Sequence, residues 1–207
     1  MQYLVAQFVL FWVVSDLYEW GYHWVGHSFP WTWAIHKHHH VFYNPSPFSV
    51  IADEWADQIV RTLPLLLIPL ALPANMDLLY AQFAIFFYAY GVYLHWGYES
   101  EHLSAHNPVI NSSYHHYYHH AYSSGNNPLY TGFFFKLWDQ LLGTVNKGPC
   151  VCSQCEQAKG KRSEQLWKRV VKPDYSPLLS LQFWLSSEGE EPGVGAAGAS
   201  KPRPKVK

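Results

Sequence analysis

The order of apolar and polar positions divides this chain into a very apolar front and a polar end. Residues 1–15 are predominantly apolar up to Asp16. The same spacing runs on through Tyr18, Trp20 and Tyr22, which predicts one helix over residues 1–27. A turn follows at Ser28, Phe29 and Pro30, and then a short helix. Asn44-Pro45-Ser46-Pro47 reads as a loop, because proline disfavours helix at the residue before it. Residues 53–61 predict an amphipathic helix that enters an apolar hairpin over 62–96. Within it, residues 62–76 have no acidic or basic side chain but carry Pro64, Pro69 and Pro73, the mark of a kinked span or a re-entrant helix. Residues 78–98 lack such side chains except for His95, and are long enough to cross a bilayer core of about 30 Å.

Beyond a connector to Ser113, a second short helix is predicted near residues 114–121, then a turn at Ser124-Gly125-Asn126-Asn127-Pro128. Residues 131–142 are aromatic and apolar and should pack back on the core. From Gly148 the character changes, and residues 188–207 have too little apolar area to offset the entropy of ordering. The domain reading is therefore 1–147 as a membrane-embedded unit, 148–187 as an extension and 188–207 as a disordered tail. The fold class is all-α, with integral membrane helices beneath a helical cap. No basic segment opens the first apolar run and no small-residue cleavage site precedes Asp16, so it is read as a retained helix rather than a signal peptide.

Composition adds two points. Net charge is -1 with no basic stripe and no phosphate-cradling glycine loop, which excludes nucleic acid as a partner. Trp12, Trp20, Trp24, Trp31 and Trp33 suit an interfacial belt.

The candidate chemistry lies in histidine. All 13 histidines fall between His23 and His120. They form one HxxxH, His23 to His27, and two HxxHH boxes, one at His36, His39 and His40 and the other at His116, His119 and His120. At about 100° per residue, positions i, i+3 and i+4 share a helical face, so each box can aim its imidazoles at a common point. On the same arithmetic His38 points to the opposite side and His115 sits at the edge of its arc. His95, Glu99, His102 and His106 fall on one further stripe. A histidine at the end of an apolar span needs a partner, so His95 is read as a ligand; His102 and His106 stay open, and Glu99 is read as supporting the ligands. The candidate metal set is His23, His27, His36, His39, His40, His95, His106, His116, His119 and His120. Imidazole alone does not choose iron over zinc.

Cys150, Cys152 and Cys155 form CxCxxC just past the apolar core. Zinc would require a fourth ligand that the neighbouring residues do not offer, so free thiols are expected. Asn111-Ser112-Ser113 is a nominal N-glycosylation signal, expected to stay bare beside the second box.

The ordered boxes, followed by Phe135-Lys136-Leu137-Trp138-Asp139-Gln140-Leu141-Leu142-Gly143-Thr144, resemble the fatty acid hydroxylase superfamily. Within it the chain looks most like the sterol C5-desaturases. The likeness includes Asp16, Tyr18, Pro45-Ser46-Pro47-Phe48 and His95-Trp96-Gly97-Tyr98, and Lys172-Pro173-Asp174-Tyr175-Ser176 is similar to the tails of other members. The resemblance implies a multi-pass endoplasmic-reticulum enzyme with two non-haem Fe ions in histidine boxes on the cytosolic face. It implies O2 as oxidant, cytochrome b5 and its reductase as electron donors, and a membrane lipid or sterol as substrate. The implied reaction is sterol C5-desaturation. The alternatives are a lipid hydroxylase acting on fatty acids, sphingoid bases or sterols, and a non-catalytic histidine-rich metal-binding protein. The oligomeric state is left open. Two departures stand out. Most members carry further membrane helices ahead of the first box, where only about twenty residues precede His23, which reads as a minimal or incomplete member. Tyr117 and Tyr118 stand where C5-desaturases have a small polar pair.

Overall fold

The structure is a computed structural model that describes residues 2–42, 45–123, 127–160 and 179–185. The first apolar run and the first histidine pair form one helix, α1 (Gln2–Ser28), with neither proline nor glycine before Gly21 to interrupt it. Phe29 is extended, as the residue before a proline prefers, and Pro30 opens α2 (Pro30–His36) at its first position. Thr32 pins the corner by donating its hydroxyl to the carbonyls of Val25 and Phe29. Gly26 allows the two helices to touch, since a Cβ there would lie 3.1 Å from the His36 ring.

Two 3-10 turns follow, His39–Val41 and Pro47–Ile51. The amphipathic segment and the proline-bearing segment then prove to be a single helix, α3 (Trp55–Ala71), which carries Pro64 and Pro69 inside it. The next apolar run is segmented. It comprises α4 (Met76–Ala81), a π-helical stretch Gln82–Tyr88 and α5 (Ala89–Leu94). Asn75 caps α4 by accepting from the Leu78 N–H at 2.9 Å. Gln82 fastens the start of the π stretch to α1 by donating to the Phe8 carbonyl at 2.7 Å.

The remaining helices are α6 (Ser113–Tyr122), α7 (Leu137–Leu142), α8 (Ser153–Ala158) and α9 (Leu181–Leu185). Among the described residues there is no β-strand; Ile110 and Phe135 form an isolated antiparallel bridge. The all-α expectation is met. Membrane-crossing helices are not among these elements, because no described helix is both long and apolar enough to cross a membrane. The 27-residue α1 has the length but carries Asp16 and Glu19 in its middle, and the later run is divided by its π turn. The expected tail at 188–207, the Lys172–Ser176 likeness and the centre of the turn at 124–126 lie outside the described residues.

Phe11, Ile68, Leu79, Phe83, Phe86, Phe87, Leu94 and Phe133 form the apolar core between α1, α3 and the segmented run. Two buried aspartates lock the chain after α6 onto α1. Asp16 accepts from the Phe134 and Phe135 N–H groups and from Trp138 Nε1, at 2.7, 3.1 and 2.7 Å. Asp139 accepts from Trp20 Nε1, Thr144 Oγ1 and the Gly132 N–H. The aromatic segment at 131–142 thus packs back on the core, as expected, although only its last six residues are helical.

Candidate metal centre

Nine of the candidate histidines converge as two adjoining groups. His23, His27, His36, His40 and His119 form one, and His39, His95, His116 and His120 the other. Within each group the nearest ring nitrogens all lie within 4.8 Å of one another, and every member is buried. The groups touch through the His40 and His120 rings, whose centroids are 4.7 Å apart.

The boxes do not each aim at one point. His23 with His27, His36 with His40, and His116 with His120 are i, i+4 pairs that stay within a group. The third member of each HxxHH box, His39 or His119, joins the opposite group. On an α-helix an i+4 neighbour is displaced by about 40° and an i+3 neighbour by about 60° the other way, so α6 presents its box to two adjacent points.

Ring orientation carries the chemistry. His23, His95 and His119 turn Nδ1 outward to the carbonyl oxygens of Thr131, Gly91 and Leu129, at 3.0, 2.7 and 2.6 Å. A carbonyl only accepts, so Nδ1 carries the hydrogen and Nε2 is left with a lone pair. Asp57 and Asp53 do the same for His36 and His39, at 3.1 and 2.6 Å. The lone pairs then face inward. His119 Nε2 is 3.2 Å from His27 Nε2 and 3.1 Å from His40 Nε2. His95 Nε2 is 3.3 Å from His39 Nε2 and 3.0 Å from His116 Nε2. The buried Nε2 atoms of His23 and His36 have no hydrogen-bond partner among the described residues. His39 and His95 both commit their Nδ1 hydrogens outward, so their facing Nε2 lone pairs repel in an apolar interior unless a cation sits between them, and these residues fit a bound metal. Burial also holds the imidazoles of His40, His116 and His120 well below the usual histidine range, and His119 down to about 3. They are therefore neutral, the form that ligates.

A carboxylate layer supports the rings. Arg61 donates from Nη1 to Asp53 and from Nε to Glu19, both at 2.8 Å. Burial alone would raise the carboxyls of Asp53 and Asp57, but the adjoining His39 and His36 side chains, and for Asp53 the Arg61 guanidinium, hold both below the ordinary carboxylate range. Sequence reasoning missed this layer. Its signal was the four-residue step of Asp53, Asp57 and Arg61, and the matching step of Glu19, His23 and His27.

The remaining histidines stand apart. His38 pairs with Glu54 at 2.9 Å, His115 with the Ser112 hydroxyl at 2.9 Å, and His102 is exposed. His106, taken in sequence as a ligand of the histidine centre, belongs elsewhere: its Nε2 lies 3.2 Å from the sulfurs of both Cys152 and Cys155. The helical stripe invoked for it does not exist, because α5 ends at Leu94 and Gly97 turns the chain at φ +82°. Glu99 does not support the centre either; its carboxylate accepts the Ser153 N–H at 3.0 and 2.9 Å.

A cleft open to solvent lies between α3 and the π stretch, lined in part by Val50, Thr62, Phe83, Phe87 and Tyr88. Arg61, also on its wall, connects it to Asp53 and hence to His39.

These features define a helical protein with a paired, histidine-lined candidate metal centre backed by carboxylates. The chain belongs to the fatty acid hydroxylase family, whose model matches residues 8–144. It is 28% identical over 166 residues to the Delta(7)-sterol 5(6)-desaturase ERG3A of Gibberella zeae. That match covers 80% of this chain, and the chain spans 44% of the relative's length. No solved structure matches it.

Proposed function

We propose that this chain is a membrane-associated, O2-dependent di-iron lipid oxidoreductase, and that its reaction is sterol C5-desaturation. The observation that carries the reading is the pair of buried imidazole groups whose Nε2 lone pairs converge, in a chain of the fatty acid hydroxylase family. The first group would hold one ion and the second the other. Such a pair of irons, when bound, supplies oxidising power toward unactivated C–H bonds. The chain's own residues do the rest. Asp53, Asp57 and the Gly91, Leu129 and Thr131 carbonyls fix ring orientation and tautomer.

Desaturation removes two hydrogens from the lipid, and full reduction of O2 to two waters needs two further electrons and two protons. Cytochrome b5 and its reductase are proposed as the electron source. The cleft supports a hydrocarbon substrate, being walled largely by Val50, Phe83, Phe87 and Tyr88, with polar atoms at Gln58 and Thr62. Phe133 and Phe134 stack into the core against Phe87 and Phe86 and are not its walls.

Seating at the endoplasmic-reticulum membrane is supported by an exposed apolar surface. Tyr3, Val5 and Val9 of α1 and Leu66 and Leu70 of α3 are all more than half exposed. Apolar exposure on this scale marks an interaction surface. The metal groups are proposed to face the cytosol.

The test is expression of the full chain in a sterol-synthesising host that lacks its own C5-desaturase. Conversion of a Δ7-sterol to the Δ5,7-diene, dependent on O2 and lost in His119→Ala, is expected. A product heavier by one oxygen would instead establish the hydroxylase alternative, which the family description favours. No new lipid from well-expressed, iron-loaded protein would reject the enzyme reading, and zinc as the sole metal would favour a non-catalytic metal-binding role.

A further inference from the structure

A second cluster of metal-ligating side chains lies apart from the histidine centre. The 95–112 connector and the segment after α7 both have little regular structure, yet they are stitched together at several points. Glu99 takes the Ser153 N–H and the Ser104 hydroxyl donates to Gln154 at 2.8 Å, while Tyr114 at the start of α6 receives the Val151 N–H at 3.3 Å. At the middle of this seam stand His106, Cys150, Cys152 and Cys155, whose ligand atoms all lie within 4.8 Å of one another.

His106 Nε2 is 3.2 Å from Cys152 Sγ and 3.2 Å from Cys155 Sγ. One ring nitrogen has one lone pair and cannot accept from two thiols at once. A single cation satisfies all four groups together. A zinc tetrahedron with Zn–S bonds of about 2.3 Å and Zn–N bonds of about 2.0–2.1 Å has S···N edges of about 3.6 Å and S···S edges of about 3.8 Å. The observed spacing needs only small adjustment to reach it. The local backbone also suits thiolates, since the Cys155 N–H points at Cys152 Sγ, 3.5 Å away at the start of α8. Lys159 Nζ, paired with Glu156 at 3.0 Å, lies 3.4 Å from the Cys150 carbonyl and ties α8 to the first cysteine.

We propose that His106, Cys150, Cys152 and Cys155 form a structural Cys3His zinc site that fastens the connector after His95 to the segment after α7. Three thiolates and one imidazole make a soft, closed tetrahedral set, which selects zinc and leaves no open position for a substrate. Its ligands come from segments 46 and 49 residues apart, so binding closes a long loop next to the helix that carries His116 and His120. The proposal is independent of what the histidine centre binds.

The test uses the full chain purified in detergent under reducing conditions. Zinc K-edge absorption should show a sulfur shell at about 2.3 Å, which no ligand of the histidine centre can supply. Total metal analysis should give about one zinc per chain at this site. Cysteines should resist a thiol reagent until a strong chelator is added. In protein grown with cobalt, a sulfur-to-cobalt charge-transfer band is expected and should fall by about a third or more per chain in Cys152→Ser. The wild-type absorption measurement stands on its own if that variant fails to fold. Zinc with only nitrogen and oxygen neighbours, three thiols reacting at once in metal-replete protein, or a disulfide in the intact mass would each overturn the proposal.

Discussion

His39 Nδ1 lies 2.6 Å from Asp53 Oδ1, while its neighbour His38 turns the other way to meet Glu54 at 2.9 Å. Two adjacent imidazoles thus have opposite fates, one inside the second metal group and one outside both. His39→Ala is expected to strip metal from the centre and abolish product, whereas His38→Ala should retain most of both. Asp53→Asn, which weakens the hold on His39, should lower metal affinity by about 10–100-fold. Metal content and product formation across the three variants are the measurements. Equal loss in the two histidine variants would show that the two side chains are not divided in this way.

Arg61 joins Glu19 and Asp53 in a mostly buried ion triad. Replacing it with methionine leaves two buried carboxylates without their counter-charge. Breaking such a cluster from one side costs about 3–5 kcal/mol. Arg61→Met should therefore melt roughly 10 °C lower, followed by tryptophan fluorescence in detergent. Arg61→Lys should recover part of that loss. A melting point within a degree or two of wild type for the methionine variant would mean the triad is not formed.

Burial pushes the Asp139 carboxyl up from 3.8 to about 6, against the donors that surround it. Between those values the folded state holds a proton that the unfolded chain has released. The group's contribution to stability is therefore full below about pH 4 and is lost as pH rises through about 6, a change of about 3 kcal/mol at most. Asp139→Asn has no such proton. The wild-type melting temperature minus that of the variant should fall between about pH 4 and about pH 6 and stay level above that. A difference that stays constant from about pH 4 to about pH 6 would contradict the raised value.

Asn111 has no exposed surface, and its side-chain amide donates to the Gly132 carbonyl at 2.6 Å. Its nominal glycosylation signal should be bare in a eukaryotic host, with no mass change on glycosidase treatment. A glycan mapped to Asn111 would require this part of the fold to be open.

What could be read from the residues was what the helix repeats locally. His23 with His27 and His116 with His120 meet because four residues make about one turn, and that spacing is visible in the letters. The same repeat sets Asp57 and Arg61 of the carboxylate layer one turn apart on α3, where only an amphipathic face was read, while Asp53 lies just before that helix begins. The stripe through His95, Glu99 and His106 failed because one glycine, Gly97, ends the periodicity it assumed. His106 then finds partners 46 and 49 residues away, a pairing that no local pattern contains. The apolar run at 78–98 suggested one uniform span, whereas the backbone divides it into α, π and α segments.

The crossing-over of the boxes has a consequence for how the centre assembles. His39 and His40 are joined by one peptide unit, as are His119 and His120, yet each pair feeds both groups. Consecutive Cα atoms are about 3.8 Å apart, so the separation of the two sites is written into two short stretches of covalent backbone. Slipping either stretch by a residue would not loosen one site; it would scramble the membership of both. Ordering one group therefore draws the backbone of the other into place, so if each group holds an ion as proposed, metal titration should show the second entering with the first and no long-lived half-filled form.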